Sequence, residues 1–474
     1  MASSRPWLIN SLDNGAGGVL NSAKGWLKLV TGLFDNSAGV TQAQSLEIRA
    51  GQGVRNQQGH LSALSGDNRI VTADFDNQGG GLYASGLLSL DGQRFLNQGA
   101  AAGQGGKVGA GRIDFSLAGA LANRFGQLES ESELHLRAAA IDNSGGSLRA
   151  LGRSGSTRLV AGGLNNAYGV LESANQDLDL QLGSLANAGG RILHIGNGTF
   201  GLDSASLDNG AGGVLNSAKG WLKLVTGLFD NSAGVTQAQS LEIRAGQGVR
   251  NQQGHLSALG GDNRIVTADF DNQGGGLYAS GLLSLDGQRF LNQGAAAGQG
   301  GKVGAGRIDF SLAGALANRF GQLESESELH LRAAAIDNSG GSLRALGRSG
   351  STRLVAGDLN NAYGVLESAN QDLDLQLGSL ANAGGRILHT GNGTFGLDSG
   401  QVIRAGGELT TNGLLDIRAS EWTNSSVLQA GRLNLDIGTF RQTAEGKLLA
   451  VQSFTGRGGD WSNDGLLASD GSLR

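Results

Sequence analysis

Residues 75–82 read Phe-Asp-Asn-Gln-Gly-Gly-Gly-Leu, with an apolar residue two places before an asparagine and a glycine three places after it. The same arrangement returns every 20 to 26 residues, usually with another apolar residue two places after the glycine. The repeated unit is therefore apolar-x-Asn-x-x-Gly-x-Leu. A unit of this length cannot enclose a core alone, whereas similar units stacked on one another bury a continuous apolar column.

The asparagines of this motif are predicted to lie at equivalent positions of successive rungs, where their side chains form a hydrogen-bonded ladder. The predicted ladder comprises Asn14, Asn36, Asn56, Asn77, Asn97, Asn123, Asn143, Asn166, Asn187, Asn209, Asn231, Asn251, Asn272, Asn292, Asn318, Asn338, Asn361 and Asn382. The glycine after each asparagine is predicted to supply the positive-φ backbone of a corner. Asn97 is an exception, because its nearest glycine, Gly99, comes one place early.

Short segments between the motifs alternate apolar and polar residues, as in 46–50, 134–138 and 178–182. Alternation puts the apolar side chains on one face of a strand and the polar ones on the other. No segment keeps a helical period over three turns. Ordinary hairpins with Asn-Gly turns would give strand pairs of variable length, which the near-constant spacing disfavours. The sequence therefore predicts an all-β chain, a parallel β-helix with rungs of roughly 20–22 residues.

A second, longer repeat divides the chain. Residues 11–205 form a first block of rungs, and residues 206–400 repeat it almost without change. Residues 1–10 are a short irregular lead, and residues 401–474 are diverged rungs that end within repeat-like sequence. Between residues 11–204 and residues 206–399 the two copies differ at three positions: Ser65 against Gly260, Gly163 against Asp358, and Ile195 against Thr390. Residues 98–106, rich in glycine and alanine, are predicted to form a loop that leaves the rungs.

Composition excludes several classes of protein. The 84 glycines stand beside a single proline and show no three-residue period, so the chain is not collagen-like. The formal net charge of −5, without a basic cluster, argues against nucleic acid and anionic membrane surfaces as partners. No stretch approaches 18 apolar residues. The absence of cysteine rules out disulfides, thiolate nucleophiles and cysteine zinc sites, and it fits an exported chain.

The motif resembles the repeats of filamentous haemagglutinin and of the large exoproteins of two-partner secretion, including contact-dependent growth-inhibition proteins. The resemblance runs from Leu12 to about Asn463. It implies a right-handed parallel β-helix, export through an outer-membrane partner transporter, and a secreted protein of the bacterial outer cell surface. The secretion domain and toxin module of that family are not in the sequence, so we expect an internal piece or a truncated product.

Several patterns were weighed as chemical sites. Residues 196–201 match GxGxxG, but the fingerprint for dinucleotides needs a following helix, and another rung is predicted there. Asp177 and Asp179 form an acidic row, repeated at Asp372 and Asp374, yet general acid–base catalysis needs two carboxyl groups in a cleft. The histidines are widely spaced and form no metal motif. We therefore expect no catalytic, cofactor-binding or metal-binding residues, and no enzyme activity.

The tryptophans Trp26 and Trp221 occupy equivalent outward positions and are predicted to contact a partner. The expected partners are a host or bacterial cell-surface receptor or a glycan, with no small-molecule substrate. The leading hypothesis is the shaft of a surface adhesin. A spacer tolerates duplication because each rung contacts only its neighbours, whereas an active site is normally needed once. The alternatives are the stalk of a contact-dependent growth-inhibition protein and a carbohydrate-active β-helix enzyme.

Overall fold

The computed structural model describes residues 9–404 and 406–474. Within these residues the regular structure consists of 39 strands and contains no helix. Neighbouring strands pair in parallel, and together they form a β-solenoid of about 22 turns with about 21 residues per rung. The prediction of an all-β, parallel β-helix is confirmed.

Two compact units divide the chain between Gln239 and Ser240. The strands of the first unit are β1 Ile9–Asp13, β2 Val19–Asp35, β3 Val40–Arg55, β4 His60–Ala63, β5 Asn68–Asp76, β6 Gly81–Leu96, β7 Lys107–Leu117, β8 Ala120–Ala122, β9 Gln127–Ser130, β10 Leu134–Ala138, β11 Ala140–Asp142, β12 Ser147–Ala150, β13 Ser156–Ala161, β14 Leu164–Asn165, β15 Val170–Ser173, β16 Asp177–Ala186, β17 Arg191–His194, β18 Thr199–Asp208 and β19 Val214–Asp230. Strand β20, Val235–Arg250, contains the division.

The strands of the second unit are β21 His255–Ala258, β22 Asn263–Asp271, β23 Gly276–Leu291, β24 Lys302–Leu312, β25 Ala315–Ala317, β26 Gln322–Ser325, β27 Leu329–Asp337, β28 Ser342–Ala345, β29 Ser351–Asn360, β30 Val365–Ser368, β31 Asp372–Ala381, β32 Arg386–His389, β33 Thr394–Arg404, β34 Glu408–Thr411, β35 Leu414–Asn424, β36 Val427–Gln442, β37 Lys447–Asn463, β38 Leu466–Ser469 and β39 Ser472–Leu473. They follow the strands of the first copy, except that β27 and β29 each replace two shorter strands, and they continue past residue 400.

One rung, residues 170–190, shows how each turn of the solenoid is built. It begins with Val170–Ser173, which we call face A, and bends at residues 174–176. Residues 177–182 form face B and residues 184–186 form face C, both within β16. The asparagine turn at residues 187–190 then leads into face A of the next rung. Faces A, B and C stack only on their own kind, so register is kept from rung to rung.

The core is a set of apolar columns inside the three faces. On face B, Leu159, Leu180 and Leu202 are partners in successive rungs and are buried. Alternation explains the burial, because Leu178, Leu180 and Leu182 are buried while Gln181 between them is exposed. Full burial of one leucine contributes about 1.5–3 kcal/mol relative to exposure, so a column contributes through many similar, local terms.

The diverged rungs after residue 400 keep this architecture with different side chains. Trp422 pairs with Phe440 on successive rungs, and both are buried. Phe440 in turn lies 4.9 Å from Trp461, measured between ring centroids. Tryptophan thus occupies, at residue 422, a column position that leucine, isoleucine, valine or phenylalanine holds in the two copies.

Candidate functional site

An uninterrupted chain of amide hydrogen bonds runs through the first unit. Each asparagine of the series from Asn14 to Asn231 donates its Nδ2 to the Oδ1 of the next one, over 2.7–2.8 Å. The second amide hydrogen reaches a backbone carbonyl, as from Asn77 to Gly80 at 3.3 Å. All of these side chains are buried. From Asn36 to Asn209, both hydrogens and the oxygen of each amide are therefore satisfied away from water.

The second unit contains the same ladder. From Asn251 to Asn382 the Nδ2 to Oδ1 distances are again 2.7–2.8 Å. The next position in this column falls on residue 405, which lies outside the described residues, since Ala381 pairs with Arg404. Further on, Asn424 donates to Gln442 Oε1 at 3.1 Å. Glutamine thus serves in the diverged rungs where asparagine serves in the copies.

The backbone conformation of the corner that holds each asparagine differs from the one predicted from the sequence. Positive φ occurs two residues after the asparagine, as at Gln58 (φ 55°) and Gly79 (φ 64°), and among the described motif glycines only Gly17 (φ 88°) and Gly212 (φ 81°) also adopt it. A Cβ on Gly80 would overlap the backbone oxygen of Asn56 in the rung below. The prediction that the motif glycine supplies positive φ therefore holds at the corners of Gly17 and Gly212 and is wrong at the others. This glycine is required because two rungs approach too closely at the corner for any side chain.

Residues 98–106 form a turn insertion in the rung of Asn97. Gly106, not Gly99, accepts from Asn97 Nδ2 at 2.9 Å and donates its backbone N–H to the Asn97 carbonyl at 3.0 Å. A Cβ on Gly106 would overlap the backbone oxygen of Asn77, as at other motif glycines. The insertion lies between the asparagine and its glycine, and the ladder continues from Asn97 to Asn123 at 2.8 Å.

A second polar corner lies inside the solenoid, and the spacing of the asparagine motif does not reveal it. Asn175 accepts from Thr157 Oγ1 at 2.7 Å and donates to the backbone oxygens of Gly152 and Ser132 at 2.7 and 3.0 Å. Ser173 and Asn175 are two and four residues after the buried Leu171. Alternate residues of a strand share a face, so this spacing could have predicted that both side chains point into the solenoid.

His194 belongs to this polar corner and is buried. Its Nε2 faces the backbone oxygen of Gln176 at 3.0 Å, so Nε2 carries the proton and Nδ1 accepts from Ser217 Oγ at 2.9 Å. Its copy, His389, has Thr411 in place of the serine, also at 2.9 Å. Burial lowers the pKa of both imidazoles, which keeps them neutral at physiological pH.

Trp26 and Trp221 lie on the outer surface, with 61% and 42% of their area exposed. The ammonium of Lys28 lies 5.6 Å from the Trp26 ring centroid, and that of Lys223 lies 4.0 Å from the Trp221 ring. An ammonium at this distance from an indole ring is attracted to it, which holds one face of the ring against the solenoid. The predicted contact of these two tryptophans with a partner stays a prediction.

The acidic row that includes Asp177 makes contacts between rungs. Asp177 Oδ1 accepts from the backbone N–H of Thr199 in the next rung at 2.7 Å. Asp179 lies 3.4 Å from the guanidinium of Arg158 on the neighbouring strand.

In the GxGxxG stretch, a Cβ on Gly196 would overlap the backbone oxygen of Asn175. A strand, β18, follows this stretch, so its first glycine serves close stacking of rungs.

The described residues include neither a metal-binding cluster nor a helix that could cross a membrane. No group of three or more histidine, aspartate or glutamate side chains is placed to hold a metal ion in residues 9–404 and 406–474. The same part of the chain has no helix that is long and apolar enough to cross a bilayer.

Comparison with known proteins gives one weak similarity. No family model matches the sequence, and no solved structure matches it. A curated relative, toxin CdiA of Escherichia coli, is 27% identical over 259 residues. The match covers 49% of this chain but only 8% of the length of that toxin. This similarity and the β-solenoid fold fit a repeat region of the haemagglutinin and CdiA type.

Proposed function

We propose that this chain is a segment of the structural shaft of a large bacterial surface adhesin, which presents or mediates attachment to other cells. The observation that carries the proposal is the ladder of ten consecutive asparagine hydrogen bonds in the first unit. Each rung contacts mainly its neighbours, so rungs can be added without altering those already present. At about 4.8 Å per rung, nine rungs of one copy add roughly 40 Å.

A second candidate function is the stalk of a toxin-delivery protein for contact-dependent growth inhibition. The similarity to toxin CdiA favours it. In that case the same rungs would hold a toxin module at a distance from the producing cell. Both functions include export through an outer-membrane partner transporter and a location at the outer cell surface.

We further propose that the shaft is not catalytic. The carboxylates that would be needed contact neighbouring rungs, as Asp177 does with the Thr199 backbone and Asp179 with Arg158. A panel of polysaccharides incubated with the purified chain should release no reducing or unsaturated ends. Hydrolysis that disappears in an Asp177→Asn, Asp372→Asn variant would establish the carbohydrate-active alternative.

The shaft role is tested by changing the number of copies in the full-length gene. Removal of residues 206–400 joins Ala205 to Gln401 and preserves the phase of the rungs, because position 205 is equivalent to position 400. Strains with one, two or three copies should export equal amounts of protein. Attachment to target cells should change with copy number if the protein is an adhesin, and killing of neighbouring cells should change if it is a toxin stalk. If neither depends on copy number, the spacer role is refuted.

A control deletion separates length from folding. Removal of residues 206–390 deletes nearly the same length but joins different phases of a rung. This variant should be degraded or retained in the cell, since its register is broken. Equal export of both deletions would show that rung phase is unimportant.

A further inference from the structure

Three aromatic side chains lie flat over glycines on the outside of the first unit. We call Tyr83, Phe125 and Tyr168 the aromatic track. A Cβ on Gly189 would lie 2.7 Å from a ring carbon of Tyr168, and one on Gly145 would lie 2.5 Å from a ring carbon of Phe125. Tyr83 covers Gly109 in the same way, at 3.3 Å. Each ring thus has one face against the backbone of the next rung, and Tyr168 is 79% exposed.

Two rings of the aromatic track, Phe125 and Tyr168, occupy the same turn position and are separated by the rung of Asn143. Along the stacking direction these two rings are therefore about 9–10 Å apart, twice the strand spacing. Tyr83 lies on face A and pairs with Gly109 of the next rung. All three rings line one groove of about 500 Å³ on the surface of face A and its asparagine turns.

The backbone of the track is energetically unfavourable for aromatic residues. Phe125 and Tyr168 have φ of 56° and 55°, in the left-handed region, where a bulky side chain costs roughly 1–2 kcal/mol. The equivalent positions of the adjacent rungs hold Gly145 and Gly189, which fit this backbone without cost. Ala16, Ala38 and Gln58 adopt the same left-handed backbone at equivalent corners, so the turn itself does not need an aromatic residue. Phe125 is half-buried and Tyr168 is exposed, so what distinguishes these two corners is a ring presented at the surface.

Charged side chains of both signs lie in the same groove. Arg149 lies 3.9 Å from Glu129 and 3.5 Å from Glu172, and Lys107 lines the groove one rung below Glu129. Cations and carboxylates alternate, so the local charge is nearly balanced. The groove therefore offers ring faces separated by hydrogen-bonding groups, and not a continuous apolar patch.

We infer that the aromatic track binds an extended, uncharged polysaccharide laid along the stacking direction. The C–H faces of pyranose rings pack on aromatic rings, and their hydroxyl groups bond to carboxylate, guanidinium and ammonium groups. The two-rung separation of Phe125 and Tyr168 is comparable with the length of a disaccharide unit in an extended chain. An anionic polysaccharide would meet as many carboxylates as cations, and an apolar protein surface would need a larger apolar area.

The second unit holds a copy of the track, which supplies a second binding site. Tyr278, Phe320 and Tyr363 occupy the equivalent positions, with φ of 58° and 56° at the last two. Tyr363 is 78% exposed. Two sites in one chain increase the apparent affinity for a long polymer that both can reach. This inference adds to the proposed shaft function a ligand of the shaft itself.

The test is affinity electrophoresis of the purified full chain in gels containing hydroxyethylcellulose, xyloglucan or galactomannan. We expect at least one of these neutral polymers to retard the protein. The double variant Tyr168→Ala, Tyr363→Ala should bind about tenfold more weakly or worse, and Tyr168→Ala alone should bind at an intermediate level. Because both tyrosines are exposed, the far-UV circular dichroism and the melting temperature should stay unchanged.

A matched control is Val71→Ala, Val266→Ala, which removes exposed apolar side chains from face B in both copies and should leave binding unchanged. Raising the ionic strength from about 0.05 M to about 0.5 M should change binding less than twofold. Failure of all three polymers to retard the wild-type chain, or equal retardation of the tyrosine variant, overturns the inference. So does salt-sensitive binding to an anionic polymer alone. If the tyrosine variant loses attachment to cells while no polymer binds, the partner is a protein. None of these results alters the copy-number test of the shaft.

Discussion

Replacement of Asn77 by leucine tests the asparagine ladder at one rung. Asn77 is fully buried, accepts from Asn56 Nδ2 at 2.7 Å and donates to Asn97 Oδ1 at 2.7 Å. Leucine has the same branching and number of side-chain heavy atoms, so the column should stay filled while these two hydrogen bonds and the bond to the Gly80 carbonyl are lost. Asn56 keeps a donor bond to the Gly81 carbonyl at 3.0 Å, whereas Asn97 Oδ1 loses its donor.

The expected cost follows from these contacts. Each lost bond contributes about 0.5–1.5 kcal/mol, and the orphaned acceptor carries a penalty of about 1–3 kcal/mol that the added apolar burial of leucine partly offsets. We expect a net loss of about 1–3 kcal/mol. The loss should be confined to the rungs around Asn77, because stability in a solenoid is a sum over neighbouring rungs.

The two copies allow the damage to be located within a single molecule. Tryptic cleavage after Arg55 and Arg69 releases residues 56–69, and the equivalent peptide of the second copy is residues 251–264. These two peptides differ at one residue, Ser65 against Gly260, so mass spectrometry distinguishes them. Under brief native digestion, the Asn77→Leu chain should release residues 56–69 faster than wild type and residues 251–264 at the wild-type rate. Asn272→Leu is the matched control and should reverse the pattern.

Two outcomes would refute this reasoning. If both peptides are released faster from Asn77→Leu, the chain unfolds as one cooperative core and the local model fails. If neither is released faster, the buried amide bonds do not stabilise the rungs.

The remaining predictions concern the corner glycines and the buried histidines. Gly80→Ala should cost about 3 kcal/mol, because its Cβ would overlap the Asn56 carbonyl, whereas Gly79→Ala should cost about 1 kcal/mol for its positive φ. Urea midpoints measure both, and a larger loss for Gly79→Ala would contradict the assignment. Burial lowers the pKa of His194 and His389, so the unfolded state binds more protons and stability falls as the pH drops below about 6.5. A His194→Asn, His389→Asn variant should lose less stability between neutral and acid pH than wild type, and an unchanged slope would show that these two imidazoles do not supply it.

The architecture could be predicted from the sequence because rungs of nearly constant length put equivalent residues in equivalent places. Asparagine spacing alone placed the motif at the corners, and alternation placed Leu178 and Leu180 inside. The role of the motif glycine could not be predicted in this way. A glycine can be required for a positive φ, as at Gly79, or for the close approach of two backbone segments, as at Gly80. Only the structure distinguishes these two roles.

The second polar corner was missed for a related reason. Asn175 is not followed by a glycine at the motif distance, and its partners Thr157 and Gly152 are about one rung away in sequence. Burial of His194 depends on the same corner. A contact between rungs leaves no periodic signal in the sequence when the residue types that form it are not repeated from rung to rung. The aromatic track was missed as well, because Tyr83 lies in a strand and Phe125 and Tyr168 lie in turns, so the three residues share no position in the motif.

The turn insertion of residues 98–106 has a consequence for protein engineering. Asparagine and motif glycine are nine positions apart there and three apart at Asn77, so the corner accommodates six extra residues. The amide bonds to Asn77 and Asn123 keep their usual lengths on either side of it. The corner is therefore a suitable insertion site for short peptides such as affinity tags, epitopes or protease sites. Because the corner recurs in every rung, such peptides could be inserted at chosen intervals along one edge of a unit.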